Sequence, residues 1–306
     1  MPAEANKLGE KSIKGFSNVM IVGAGTVGSA IGEVISRRDF KVIYCDTNPE
    51  VVAKLENLGK ITGSIVDYAE AVDLYFICVP TELSKNGVFN LKPLRLSLHT
   101  IFEATRNLKV LPFITISSTL LPGTIQDLVA DLEQDFPSHL IIQNICYSPE
   151  FLRAEYATRD FEVPRLRVIS SPSERTRLSM KNFFKEFEGE IVEIESFKEA
   201  EFLKLGHNFV NAVEISIWNQ LAVIARHLGL NNLLGLKKLI EITAEGRYNK
   251  NYAYASLKPI SGKCLPKDMK ALYQYGKSEE LETGFIAGLL EFNSQLERRV
   301  GDDNPE

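Results

Sequence analysis

Cys264 is the residue of this sequence best placed to act as a nucleophile. It stands in Ser261-Gly-Lys-Cys-Leu-Pro-Lys-Asp268. Pro266 suits a first helical position, which puts the thiol just before a helix N-terminus, beside Lys263 and Lys267. The positive end of a helix and two cations lower a thiol pKa and favour thiolate, the attacking form. Asp268 lies four residues on, one turn away on the same side. The same local chemistry also fits an inert thiol in a loop, the common lot of an isolated cysteine. Cys45 and Cys78 in strands, and Cys146 at the end of one, take that second role.

Lys204 and Asn208 form a second cluster. They are i and i+4 on a predicted helix, and Asn211 continues the face. A lysine ammonium and an amide donor at that spacing can hold an alkoxide or oxyanion. The alternative is a solvated helix face. Against it, the flanking Phe202, Leu205, Phe209 and Val213 predict burial on several sides.

The third cluster binds rather than reacts. Gly23-Ala24-Gly25-Thr26-Val27-Gly28 follows a predicted strand and opens a predicted helix, and Asp46 ends the next strand 18 residues after Gly28. In that context GxGxxG predicts a dinucleotide site. Gly23 makes the tight turn, Gly25 lets the backbone approach a pyrophosphate, and Gly28 lets helix and strand pack closely. The helix N-terminus offers unpaired N–H groups to the phosphates. Asp46 accepts from ribose hydroxyls and repels a 2′-phosphate, which favours NAD over NADP.

These clusters need a scaffold. Short apolar runs at 18–22, 41–45, 74–79, 113–117, 140–146, 166–170 and 191–194 alternate with helical segments, the pattern of βαβ units and a mostly parallel sheet. The pattern changes at Ser196-Phe-Lys-Glu199, a capping box. Apolar periodicity then runs to Arg226 and His227, and Gly229 supplies the stop. That helix spans about 45 Å and suggests a connector or an oligomer seam. Further helices are predicted over 232–243, 266–275 and 281–299. The expected fold is α/β: a flexible arm over 1–16, a Rossmann-type doubly wound domain over 17–195, and a long helix opening a small all-α dimerisation domain over 196–306.

Composition excludes other classes. The 306 residues are 44% hydrophobic and 25% charged, ordinary for a globular protein. With 35 basic against 40 acidic residues, no basic surplus points to nucleic acid. Four widely separated cysteines argue against a zinc site or a disulfide framework. With no run of about 18 apolar residues and no signal-peptide core, no membrane association and a cytoplasmic location are expected.

The motifs together resemble the UDP-glucose/GDP-mannose dehydrogenases. They are GAGTVG (23–28), CDTNP (45–49), VPT (79–81), SSTLLPGT (117–124), YSPEFLR (147–153), EAEFLKLGHN (199–208), WNQLA (218–222), GR (246–247) and CLPKD (264–268). The resemblance implies an NAD-dependent nucleotide-sugar 6-dehydrogenase, homodimeric through the long helix, that oxidises the sugar C6 alcohol to a carboxylate in two steps. It implies that Cys264 forms a thiohemiacetal and then a thioester, which water hydrolyses. Lys204 and Asp268 then position a water or alkoxide, and Asn208 stabilises the oxyanion. By the same resemblance Pro80, Thr81 and Thr119 line the cofactor, and Thr119 and Glu150 the nicotinamide and hydrolytic water. Phe151, Leu152 and Arg153 contact the sugar, and Arg247 reaches a neighbouring subunit's site.

The sequence departs from the family pattern in ways that set further expectations. It stops where members continue into a third, nucleotide-gripping domain, so that grip is expected to be missing or to come from another chain. Ala154 stands where members have a second glutamate, with Glu155 next door, and the segment before Cys264 has fewer glycines. Two other readings therefore stay open: an impaired NAD-binding dimer that regulates a full-length homologue, and a one-step β-hydroxyacid-type dehydrogenase, which needs no cysteine.

Overall fold

The computed structural model describes residues 15–84, 88–136, 143–248, 259–260 and 265–302. They form two compact units, divided between Asn208 and Phe209.

The first unit is built on a sheet whose strands are too apolar to face water. β1 (Asn18–Val22), β2 (Lys41–Cys45), β3 (Ile61–Thr62), β4 (Leu74–Ile77), β5 (Phe113–Ile116), β6 (Ile145–Tyr147), β7 (Leu166–Ser170) and β8 (Glu190–Ile194) lie in the order β3-β2-β1-β4-β5-β6-β7-β8. Every residue of β4 and β5 is buried, as central strands of a sheet covered on both faces require. All pairings are parallel except β6 with β7.

Alternate residues feed two cores. Met20, Val22, Tyr75 and Ile77 pack on one face, and Val19, Ile21, Leu74 and Phe76 on the other, the period-2 alternation of a strand. The connecting helices are α1 (Thr26–Ile35), α2 (Pro49–Asn57), α3 (Ile65–Tyr68), α4 (Lys92–Thr105), α5 (Thr124–Asp135), α6 (Ala157–Glu162) and α7 (Glu174–Phe184). The order of strands reverses between β1 and β4. In open α/β sheets the crevice at such a switch point, outside the carboxyl ends of the strands, takes the ligand.

α8 (Phe197–His227) begins in the first unit and ends in the second. Ser196 Oγ accepts from the Glu199 N–H at 3.4 Å, and Gly229 adopts φ +67° at the stop. Beyond α8 lie α9 (Leu233–Thr243), α10 (Glu245–Tyr248), α11 (Leu265–Ser278) and α12 (Gly284–Asp302). Within the second unit Gln220 donates to the Glu282 carbonyl, and His227 Nε2 lies 3.1 Å from Glu279 Oε2.

Three expectations need correction. Phe16, assigned to a loose arm, packs its ring 5.4 Å from Phe113 and 5.6 Å from Phe183, because an aromatic end finds the open edge of the core. β6 runs Ile145–Tyr147, shifted toward the carboxyl side of the expected run; residues 137–142 lie outside the described chain. Phe202 and Phe209, expected to be buried, are 68% and 70% exposed in the single chain.

Candidate functional site

The glycine loop has the geometry that its sequence predicts. Gly23 sits at φ +88°, and a Cβ there would meet the Cys78 carbonyl carbon and the Val79 nitrogen at 2.9 Å. A Cβ on Gly28 would lie 2.0 Å from the Gly23 oxygen. Gly25 is the N-cap of α1 but supplies no side-chain cap, and open space stands where its Cβ would be. Thr26 and Val27 open the helix, with Thr26 exposed. The N-terminus of α1, whose first N–H groups have no intrahelical partner, therefore faces open space, a cradle suited to a pyrophosphate. Asp46 Oδ2 accepts from the Ala24 N–H at 2.7 Å, and Oδ1 accepts from the Asn48 N–H at 2.8 Å. Each carboxylate oxygen can accept a second bond, so the residue that braces the loop keeps acceptors for a ribose diol. These residues fit NAD.

The segments after β4 and β5 are fastened side by side. Thr81 Oγ1 donates to the Thr119 carbonyl at 2.7 Å, and Ser118 Oγ donates to the Val79 carbonyl at 2.7 Å. Thr119 is half-buried and Pro80 exposed. The first leaves the carboxyl end of β4, which flanks the switch point, and the second that of β5 beside it.

The SPEFLR segment follows β6 and meets the start of α8. Lys204, buried, donates from Nζ to the Glu150 carbonyl at 2.5 Å and to Asn208 Oδ1 at 3.3 Å. Phe151 lies under the same ammonium, 5.4 Å from its ring centre, with His207 edge-on at 4.9 Å. Burial lowers the Lys204 pKa, and the Glu150 charge partly restores it. Burial and the Lys204 charge together lower that of His207. Burial raises the half-buried Glu150 carboxyl to about 7 against the pull of Arg167 and Lys204. A carboxyl poised there can exchange a proton at neutral pH. Asn208, with Oδ1 turned to the ammonium, keeps its Nδ2 amide as a donor.

The remaining predicted residues fall elsewhere. Leu152 packs against the core and Arg153 points outward. The Arg153 guanidinium forks onto Asp160 at 2.9 and 2.8 Å and lies 4.6 Å over the Tyr156 ring. Hydrogen bonds from the Arg153 side chain and backbone N–H, with its charge behind them, hold the Asp160 carboxyl down at about 2. Ala154 and Glu155 are exposed in a 3-10 turn, Ala154–Tyr156. Arg247 and Asp268 belong to the second unit. Arg247, expected to serve a neighbouring subunit, reaches Glu214 at 2.7 Å and Glu241 at 3.7 Å within its own chain. Asp268 sits in the first turn of α11, paired with Lys267. Cys264 lies outside the described residues. The structure thus brings Glu150, Lys204 and Asn208 together in the first unit.

Two residues escaped the sequence reading. Glu201, fully buried, accepts from the Gly123 N–H at 2.5 Å and the Ile125 N–H at 2.9 Å, and so caps α5 from α8. Arg167 is buried in β7 among aromatic rings. Glu201 could have been sought as the carboxylate that shares the buried face of α8 with Phe197, Ala200 and Lys204; nothing in the sequence marked Arg167.

Comparison with known proteins agrees with this geometry. Residues 57–188 match the UDP-glucose/GDP-mannose dehydrogenase family, NAD binding domain, and residues 198–295 match its central domain. The chain belongs to this family. It is an NAD-dependent oxidoreductase acting on CH–OH groups. Residues 18–91, which include the glycine loop, also match the family described as NADP oxidoreductase coenzyme F420-dependent. GDP-mannose 6-dehydrogenase of Pseudomonas aeruginosa is 27% identical over 93% of this chain and 70% of its own length. UDP-glucose 6-dehydrogenase TuaD of Bacillus subtilis is 25% identical over 94% of this chain and 65% of its own. The structure of GDP-mannose dehydrogenase from Pseudomonas aeruginosa in a ternary complex superposes with a TM-score of 0.81 at 23% identity, covering 91% of this chain and 68% of that one. An imine reductase from Myxococcus stipitatus shares the fold over 94% of both chains, with a TM-score of 0.69 at 14% identity. Among the described residues no helix is long and apolar enough to cross a membrane.

Proposed function

We propose that this family member is a nucleotide-sugar 6-dehydrogenase that takes the sugar C6 alcohol to the carboxylate in two oxidations. The observation that carries the reading is the Lys204 ammonium, held between the Glu150 carbonyl and Asn208 beside a carboxyl poised near neutrality. NAD, when bound in the glycine cradle, accepts the hydride removed in each oxidation. Lys204 carries the negative charge that grows on the C6 oxygen as its proton leaves, and the Asn208 amide donates to the same oxygen. The Cys264 sulfur then adds to the aldehyde carbon and the oxygen takes up a proton, giving a thiohemiacetal. After the second oxidation the sugar is held as a thioester. Glu150 accepts the proton of a water that attacks the thioester carbon, the carbon–sulfur bond breaks, and the thiol is released with the carboxylate. One alcohol and one water yield one carboxylate, two reduced cofactors and three protons.

The remaining roles belong to the same reading. Gly23 to Gly28, Asp46, Pro80, Thr81 and Thr119 hold the cofactor. Phe151, Leu152 and Arg153 contact the sugar, and Asp268 orders a water with Lys204. Residues 17–195 act as the cofactor domain, and 196–306 carry the thiol and the dimer seam in a cytoplasmic homodimer. The exposed Phe202, Phe209, Val210 and Ile215 of α8 supply apolar surface for that seam, and Arg247 serves the partner's site. One observation favours a second reading, an impaired regulatory dimer: the position directly after Arg153 is Ala154 rather than a carboxylate, and the neighbouring Glu155 is exposed.

Cys264→Ser separates the readings. In a two-step enzyme the variant loses the acyl intermediate and overall turnover falls by roughly a thousandfold or more. Unchanged turnover would make the protein a one-step dehydrogenase.

A further inference from the structure

Arg167 is a buried cation held among aromatic rings. It is 4% exposed, and none of the ion pairs among the described residues includes it. Its guanidinium donates to two backbone carbonyls, from Nε to Glu188 at 2.7 Å and from Nη2 to Phe161 at 2.6 Å. It lies 4.7, 5.2 and 5.5 Å over the rings of Phe161, Phe184 and Phe187. Neutral carbonyls and ring faces hold such a charge in place but leave its field uncancelled. Burying a guanidinium this way is costly, and an apolar side chain would fill the same strand position without that cost.

The sheet shows where the field acts. β6 and β7 are the one antiparallel pair, with Tyr147 opposite Ser170. In an antiparallel pair the chain past Tyr147 heads toward the residues before Ser170, and Glu150 lies three residues past the one while Arg167 lies three residues before the other. Cys146 and Leu152, before and after Glu150 in the chain, pack into the core that holds Phe161, Phe184 and Phe187 around Arg167, as does Ile169.

We propose that Arg167 is a positioning residue for the Glu150 carboxylate, a fixed charge in an aromatic cage that keeps this carboxylate ionisable in a half-buried setting. Coulombic attraction to Arg167 is the first opposing influence on the burial that raises the Glu150 carboxyl, ahead of Lys204. Among the described residues, the titratable groups that act on Glu150 are Arg167 on β7, Lys204 on α8, with His207 one turn on, and the Cys78 thiol just past β4. The thiol is raised by burial first and by Glu150 second, and so is neutral. Lys204 is engaged by its bonds to the Glu150 carbonyl and Asn208, whereas Arg167 bonds only neutral carbonyls among the described residues. The inference rests on the proposed function only in making Glu150 a base for water.

The test follows the Glu150 carboxyl in the full chain, by its pH-dependent infrared or carbon-13 signal, identified by its loss in Glu150→Gln. Arg167→Met is expected to raise its midpoint by about one pH unit, and Arg167→Lys to leave it near the wild-type value. An unmoved midpoint in Arg167→Met overturns the proposal. The Arg167 Nε–H proton, displaced by three aromatic rings, provides a measurement that needs no change at Arg167. In the wild type it should move with the Glu150 midpoint, and in Glu150→Gln it should stop moving. A proton indifferent to that carboxylate overturns the proposal even if Arg167→Met does not fold. A coupled midpoint together with turnover that ignores it supports the coupling and rejects Glu150 as the base.

Discussion

At the residue scale, Glu150 joins stability to pH. Its folded pKa, about 7, stands above the ordinary carboxyl value of 4.5, so the folded state prefers the protonated form. That preference is fully present below the unfolded pKa and is lost as pH rises through the folded one. Glu150→Gln is therefore expected to remove a fall in stability between about pH 4.5 and pH 7, worth at most about 3 kcal/mol. Urea unfolding of both proteins at pH 5 and pH 8 checks this; differences that stay equal at the two pH values contradict it. If Glu150 is the base, turnover also drops as pH falls through about 7. Asp46 carries the other residue-scale prediction. Its carboxylate already braces Ala24 and Asn48 and would oppose a 2′-phosphate. NAD should bind at least about tenfold more tightly than NADP, a difference of about 1.4 kcal/mol, and equal affinities by calorimetry would refute it.

At the element scale, the strand–loop–helix at Gly23 to Gly28 tolerates no extra carbon. Gly28→Ala would drive a methyl to 2.0 Å from the Gly23 oxygen, so the loop must open. The expected result is at least about a tenfold loss of NAD affinity, about 1.4 kcal/mol, together with a lowered melting temperature; unchanged values of both would contradict the close packing. Local signals made this element legible, since glycines, an apolar strand and a terminal acid act within a few residues of one another. The capping box at Ser196 and the stop at Gly229 were legible for the same reason. The Glu201 cap of α5 was not, because its donors lie 76 and 78 residues away in sequence. Arg167 was illegible for a different reason. An arginine in an apolar strand reads as an edge residue, and only three aromatic side chains from two other helical segments and the following loop make it a core residue. Phe202 and Phe209 misled because apolar periodicity reports that a face wants cover, not whether the same chain supplies it.

At the scale of the whole molecule, the uncovered apolar side chains of α8 argue for a second copy. Phe202, Phe209, Val210 and Ile215 along one helix exceed the scatter of single exposed apolar residues. Light scattering at tens of micromolar should give a dimer mass, and Phe209→Glu should shift it toward the monomer; a monomer in the wild type would remove the α8 seam. The central claim concerns chemistry and calls for a count. UDP-glucose, GDP-mannose and UDP-N-acetyl sugars are each supplied in limiting amount with excess NAD, and the NADH formed per sugar consumed is read at 340 nm. Two per sugar on at least one of them is the predicted result. One per sugar, or NAD binding with no turnover on any of them, would contradict the two-step reaction.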